Sequence, residues 1–111
     1  MLEELNTIVG SAGFPVETGV FSAAAPDEYV VITPISEHFE LFADNAPGMN
    51  IEEARLSLFS KGNYGAKKRQ LVRLLLTAGI LVSERRYIGL EEDTGYHHFA
   101  IDVVKEYMEV E

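Results

Sequence analysis

Residues 49–78 read MNIEEARLSLFSKGNYGAKKRQLVRLLLTA, and the fold turns on a change of period inside this stretch. From Met49 to Ser60, Ala54, Leu56 and Leu58 alternate with Glu53, Arg55 and Ser57, the two-residue repeat of a strand with one buried face. Beyond Ser60-Lys61-Gly62-Asn63 the repeat lengthens. Leu71, Leu74, Leu75 and Ala78 follow at i, i+3, i+4 and i+7, which predicts a helix over residues 64–78. Asn63 has the side chain of an N-cap, and Gly79 suits the left-handed residue that ends a helix.

Working outward, Ile80 to Leu90 and Tyr96 to Met108 read as two strands around Glu91-Glu92-Asp93-Thr94-Gly95, whose Asp-Thr-Gly supplies the turn of an antiparallel hairpin. Upstream, Glu28 to Ile35 is rich in β-branched residues. Pro34 cannot donate to a ladder and marks a strand end or a sheet edge. Asp44-Asn45-Ala46-Pro47-Gly48 is a breaker cluster, so Glu37 to Met49 is expected to be a loop. Ser22 to Asp27 is a connection, and Val16 to Phe21 a short first strand. Leu2, Leu5, Ile8 and Val9 place an amphipathic helix over residues 2–11, stopped by Gly10-Ser11-Ala12-Gly13. The expectation is one α+β domain, residues 1–111, with an antiparallel β-sheet of four to five strands and two helices packed on one face.

Composition bounds the function. With 47% hydrophobic residues, six Phe and five Tyr, 111 residues can bury a core without staples. The absence of cysteine removes disulfides, thiolate nucleophiles and cysteine-based zinc sites. The start, Met1-Leu2-Glu3-Glu4-Leu5, lacks the basic region and long apolar run of a signal peptide, and no run approaches the ~20 apolar residues that span a bilayer. Net charge is -9 and is arranged in blocks. Residues 1–54 hold ten acids and no Lys or Arg, residues 55–86 hold eight of the nine basic residues, and residues 87–111 hold seven acids with Lys105. Such blocks either fold back on each other or present complementary surfaces to neighbouring subunits.

Sites for chemistry all have structural readings. His97 and His98 are adjacent in a strand, so their side chains leave opposite faces, and His38 has no partner at ligand spacing. The acid pairs Glu3-Glu4, Glu52-Glu53 and Glu91-Glu92 read as solvated groups. Asp93-Thr94-Gly95 is like the triplet around an aspartic-protease nucleophile but already has work as a turn. Lys61 to Lys68 lacks the spaced glycines and the Lys-Ser/Thr ending of a phosphate loop. No catalytic residue, cofactor or metal is expected, and the chain is read as a non-enzyme. The basic start of the second helix, Lys67, Lys68, Arg69 and Arg73, belongs to an acidic protein. A solvated helix face, or one that meets an acidic protein neighbour, therefore suits it better than a face with nucleic acid as its main partner. Phe39, Phe42, Asp44 and Asn45 form a second candidate interface, because aromatic residues in a polar connection are enriched where proteins meet, the alternative being that they cover the edge of the core.

Leu41-Phe42-Ala43-Asp44-Asn45, Leu58-Phe59-Ser60-Lys61-Gly62-Asn63-Tyr64, and Tyr87 with Glu91-Glu92-Asp93-Thr94-Gly95-Tyr96-His97-His98 are similar, in order and spacing, to the tail-terminator and head-to-tail joining (tail completion) proteins of long-tailed phages and prophages. The similarity runs from about residue 28 onward, and the basic, leucine-rich second helix departs from the family pattern. The resemblance implies a non-catalytic virion subunit that forms a ring with its own copies, commonly a hexamer. That ring sits on the tail tube protein and faces the head connector or stopper protein. The implied location is the virion tail, with host cytoplasm during assembly and no membrane partner. The alternatives are another phage neck or minor tail structural protein, or a small regulatory or ligand-binding α+β domain.

Overall fold

A computed structural model of the chain describes residues 1–18, 26–41 and 47–108. The element order is α1 (Leu2–Ser11), β1 (Val16–Thr18), β2 (Glu28–Leu41), β3 (Pro47–Ser60), α2 (Tyr64–Thr77), β4 (Leu81–Glu91) and β5 (Tyr96–Met108). The five strands form one sheet in the order β1-β2-β3-β5-β4, so β3, the strand with the clearest alternation, lies at its centre.

Alternation in β3 sorts the two faces as the sequence predicts. Ala54, Leu56 and Leu58 are fully buried and join Val30 and Ile32 of β2 with Phe99, Ile101 and Val103 of β5 in one aliphatic layer. The register accounts for this, since Val30 lies opposite Leu58 and Leu58 opposite Phe99, while Ile32 lies opposite Leu56 and Leu56 opposite Ile101. Leu5 and Val9 of α1 and Leu71 and Leu75 of α2 close the same cluster, so both helices cover one face of the sheet. Each such side chain contributes about 1.5–3 kcal/mol on full burial, and both helices depend on this layer more than on intrinsic propensity.

Local signals set the helix ends and the last turn. The Asn63 side chain accepts from the backbone N–H of Ala66 at 3.2 Å. Gly79, at φ +81°, follows α2 in the left-handed conformation that costs other residues a Cβ clash. Gly95, at φ +82°, plays the same part in the β4–β5 turn, where its N–H donates to the Glu91 carbonyl at 2.7 Å.

Two expectations are corrected, and a third runs past the described residues. The sheet is mixed, because β1 pairs parallel with β2 (Val16 opposite Val30, Thr18 opposite Ile32), while the other three pairings are antiparallel. The first strand is described over Val16–Thr18, and the rest of its expected span, up to Phe21, lies outside the described residues. Most consequential, β2 does not stop at Ile35. It runs to Leu41 and pairs with β3 as far as Pro47, so much of the expected loop from Glu37 to Met49 is strand. Pro34 is tolerated there because, among the described residues, β1 covers β2 from Val30 to Ile32 and not beyond. Among the described residues its missing N–H breaks no ladder, and a bulge between Pro34 and Ser36 absorbs the irregularity. Fourteen residues at about 3.3 Å each give strands roughly 46 Å long, which accounts for the 54 Å long axis against 24 Å in the other two directions.

Candidate interaction surfaces

Lys67, Lys68, Arg69 and Arg73 lie on α2 as expected, but they are not equivalent. Lys67 turns back into the subunit. Its ammonium is 3.5 Å from Glu28 and 5.9 Å from the Phe14 ring. Lys68 lays its ammonium 4.9 Å from the Phe99 ring, a cation–π contact at the rim of the core. Arg69 and Arg73 are exposed and form no ion pair among the described residues. They share an open groove of about 240 Å³ with Lys68, Val72, Leu76 and Arg85. Arg85 comes from β4, and only pairing of β4 beside β5 under α2 brings it there. The floor includes Leu76, which is 55% exposed, so the groove combines unpaired cations with apolar surface.

Phe39 lies on the distal half of β2 and not in a loop, at the opposite side of the sheet from β4, and is 54% exposed. Phe42, Asp44 and Asn45 lie outside the described residues. The structure therefore brings the four α2 residues together and leaves Phe39 remote from them. Glu37 and Glu40 flank Phe39, and neither forms an ion pair among the described residues.

Much of the charge segregation is used inside the subunit. Arg55 makes a two-pronged bond to Asp102 across β3 and β5, at 2.7 and 3.1 Å. Lys105 donates to Glu4 at 2.6 Å, the Met1 amino group is 3.2 Å from Glu52, and Lys61 is 3.8 Å from Asp27. The hydrogen bonds from Lys105 and Tyr107 hold the Glu4 carboxyl below the usual carboxylate range. The pair at Arg55 raises its guanidinium further above neutrality. Among the described residues, Arg69, Arg73 and Arg85 stay without an ion pair on one side and Glu37 and Glu40 on the other, and further unpaired acids, Glu92 and Asp93 among them, lie in the β4–β5 turn and elsewhere.

His97 and His98 do leave opposite faces. On the helix side, His97 stacks with Tyr64 at 4.7 Å and its Nδ1 lies 2.9 Å from the Tyr87 hydroxyl. On the other face, His98 stacks on Phe59 at 4.3 Å, and burial pushes its imidazole below the ordinary value. Phe59 also stacks on Tyr29 at 4.8 Å and meets Tyr96 edge-on. This ring cluster joins β2, β3 and β5, and the sequence reading missed it. The hint was present in Tyr29, Phe59, Tyr96 and His98, each out of step with the aliphatic face of its strand.

Among the described residues no group of three or more His, Asp or Glu side chains is placed to hold a metal ion, and no helix is long and apolar enough to cross a membrane. Asp93 lies in the exposed turn, and Lys61 to Lys68 leads into α2. The chain matches no known family model, and no curated protein matches it.

Proposed function

We propose that the chain is a non-catalytic assembly subunit, a phage or prophage tail terminator or head-to-tail joining protein that forms a ring at the end of the tail tube. The observation that carries the assembly part is the basic groove in which Arg69, Arg73 and Arg85 have no ion pair among the described residues, beside Lys68 on one side of the sheet, remote from the acids Glu37 and Glu40, likewise without an ion pair, on the other. A ring built from one repeated contact requires two different, complementary patches on each subunit, and this distribution supplies them. The phage assignment rests on the sequence resemblance from residue 28 onward.

The test uses purified tail tubes imaged with and without the chain, together with light scattering of the chain over a range of concentrations. The proposal expects added density at one tube end, and expects Lys68→Glu with Arg69→Glu to abolish it. Tubes whose ends are unchanged by the wild-type chain would remove the tail reading. Wild-type behaviour of the doubly reversed variant would remove the basic groove from the contact.

A further inference from the structure

Two strand edges have no ladder partner among the described residues. One is β4, the last strand of the sheet, open along Leu81–Glu91. The other is the distal half of β2 from Thr33 to Leu41, because β1 reaches only to Ile32. Open edges of this length are templates for pairing with another chain. Both carry exposed apolar groups, with Leu81 62% and Leu90 50% exposed on β4, and Ile35 and Phe39 on β2. On β4, Arg86 lies 3.7 Å from Glu84 and Glu91 ends the strand, which leaves Arg85 as its unpaired cation among the described residues, while the β2 edge carries the acids Glu37 and Glu40.

We infer that β4 of one copy pairs antiparallel with the distal half of β2 of the next copy, with Arg85 opposite Glu37, so that the sheet continues from subunit to subunit. This deepens the assembly reading above and rests on its premise that copies of the chain meet each other.

The strand directions select the orientation. β2 is antiparallel to β3, β3 to β5, and β5 to β4, so β4 runs opposite to β2 within one subunit. A second copy generated by rotation about an axis lying along the strands keeps the same directions, and its β2 meets the first copy's β4 antiparallel.

Edge length and side-chain facing then select the register. Matching the nine free positions of β2 to the eleven of β4 over their whole length restricts the two residue numbers of an opposed pair to a sum of 122–124. Arg85, opposite buried Ile101, points to the helix side, as does Glu37, opposite Glu52, whose carboxylate meets the N terminus of α1. Arg86, opposite Ala100, points to the other face with Glu40. Bulges at Ser83 and Ile88 of β4 and at Ile35 of β2 reset the facing, and between them, for Glu84 to Tyr87 against Ser36 to Glu40, keeping like faces together requires an even sum. At 124, Glu84 meets Glu40 and Arg85 meets Phe39, a like-charge pair and an unpaired cation. At 122, Arg85 meets Glu37 and Arg86 meets Ser36. Like charges directly opposite each other destabilise a strand pair, and opposite charges stabilise it.

The chain has no cysteine, so engineered thiols report alone. Opposed residues of an antiparallel pair lie about 4.5–5.5 Å apart at Cα, within disulfide reach. Under mild oxidation, an equimolar mixture of Arg85→Cys and Glu37→Cys chains is expected to give covalent dimers, and the double variant a ladder of higher multimers. Each single variant alone is expected to stay unlinked. In parallel, Arg85→Glu or Glu37→Arg alone is expected to weaken self-association at least tenfold by sedimentation velocity, and the two changes combined in one chain to restore it.

Arg85→Cys chains that link to one another, which would mean β4 against β4, overturn the inference. So does an unlinked mixture, or a charge swap that fails to restore association. Failure of the tail reading is separable. Copies that link as expected but leave tail tubes uncapped remove the phage assignment alone. Wild-type rings that cap tubes while the thiols stay unlinked remove the edge pairing alone.

Discussion

The two faces of the sheet are held together by different physics. Under the helices, Val30, Ile32, Leu56, Leu58, Ile101 and Val103 interlock with Leu5, Val9, Leu71 and Leu75, and area removed from water sets the stability. On the other face, the same three strands are joined by the stacked rings of Tyr29, Phe59 and His98 and by the Arg55–Asp102 pair, contacts that depend on geometry more than on area. Both faces span β2, β3 and β5, so they differ in the energy per contact and not in which strands they unite.

Substitutions on the central strand measure that difference directly. Leu56→Ala removes a fully buried side chain between Ile32 and Ile101 and is expected to cost about 3 kcal/mol by urea denaturation. On the opposite face, Phe59→Ala unstacks Tyr29 and His98 but starts from a half-buried ring, so about 2 kcal/mol is expected. If Phe59→Ala proved the costlier of the two, the ring cluster and not the aliphatic layer would be the main support of the sheet. Arg55→Ala leaves Asp102 without its two-pronged partner at a partly solvated site, and thermal and urea melts should agree on a loss of about 1 kcal/mol.

The smallest effect is a pH dependence confined to the ring face. Burial depresses the His98 imidazole below its ordinary value of 6.5, while Glu91 opposes that shift and Arg55 reinforces it. Between the folded and unfolded values the unfolded chain binds more protons. Stability therefore falls as pH drops from 6.5 through the folded value. His98→Phe, which keeps a ring against Phe59, should flatten the urea midpoint between pH 7.5 and 5 relative to the wild type. An unchanged slope would assign that titration to another group.

How much was legible in the sequence differs between the faces and between the edges. The aliphatic face was readable because its signal is periodic within one element: Ala54, Leu56 and Leu58 alternate, and Leu71 and Leu75 lie one turn apart. Asn63, Gly79 and Gly95 were readable because capping and turn chemistry act over three or four residues. The continuation of β2 past Pro34 was not. A proline's effect on a strand depends on whether a neighbour needs its N–H, and that neighbour, β1, lies more than ten residues upstream.

The candidate surfaces divide in the same way. The basic run on α2 is contiguous in sequence, so Lys67 to Arg73 could be singled out. Yet only packing separates Lys67 and Lys68, turned onto Glu28 and Phe99, from the unpaired Arg69 and Arg73.

By itself, then, the sequence determined the α+β class, the identity and facing of the strong elements, and the block arrangement of charge, because each is written in residues close together along the chain. Tertiary structure decided the parallel placement of β1, the ring cluster, the arrival of Arg85 beside α2, and which strand edges lack a partner among the described residues. These depend on pairing residues from 14 to 70 positions apart, such as Val16 with Val30 and Tyr96 with Pro26. Only the net balance of burial and ladder hydrogen bonds over the whole chain selects such pairings.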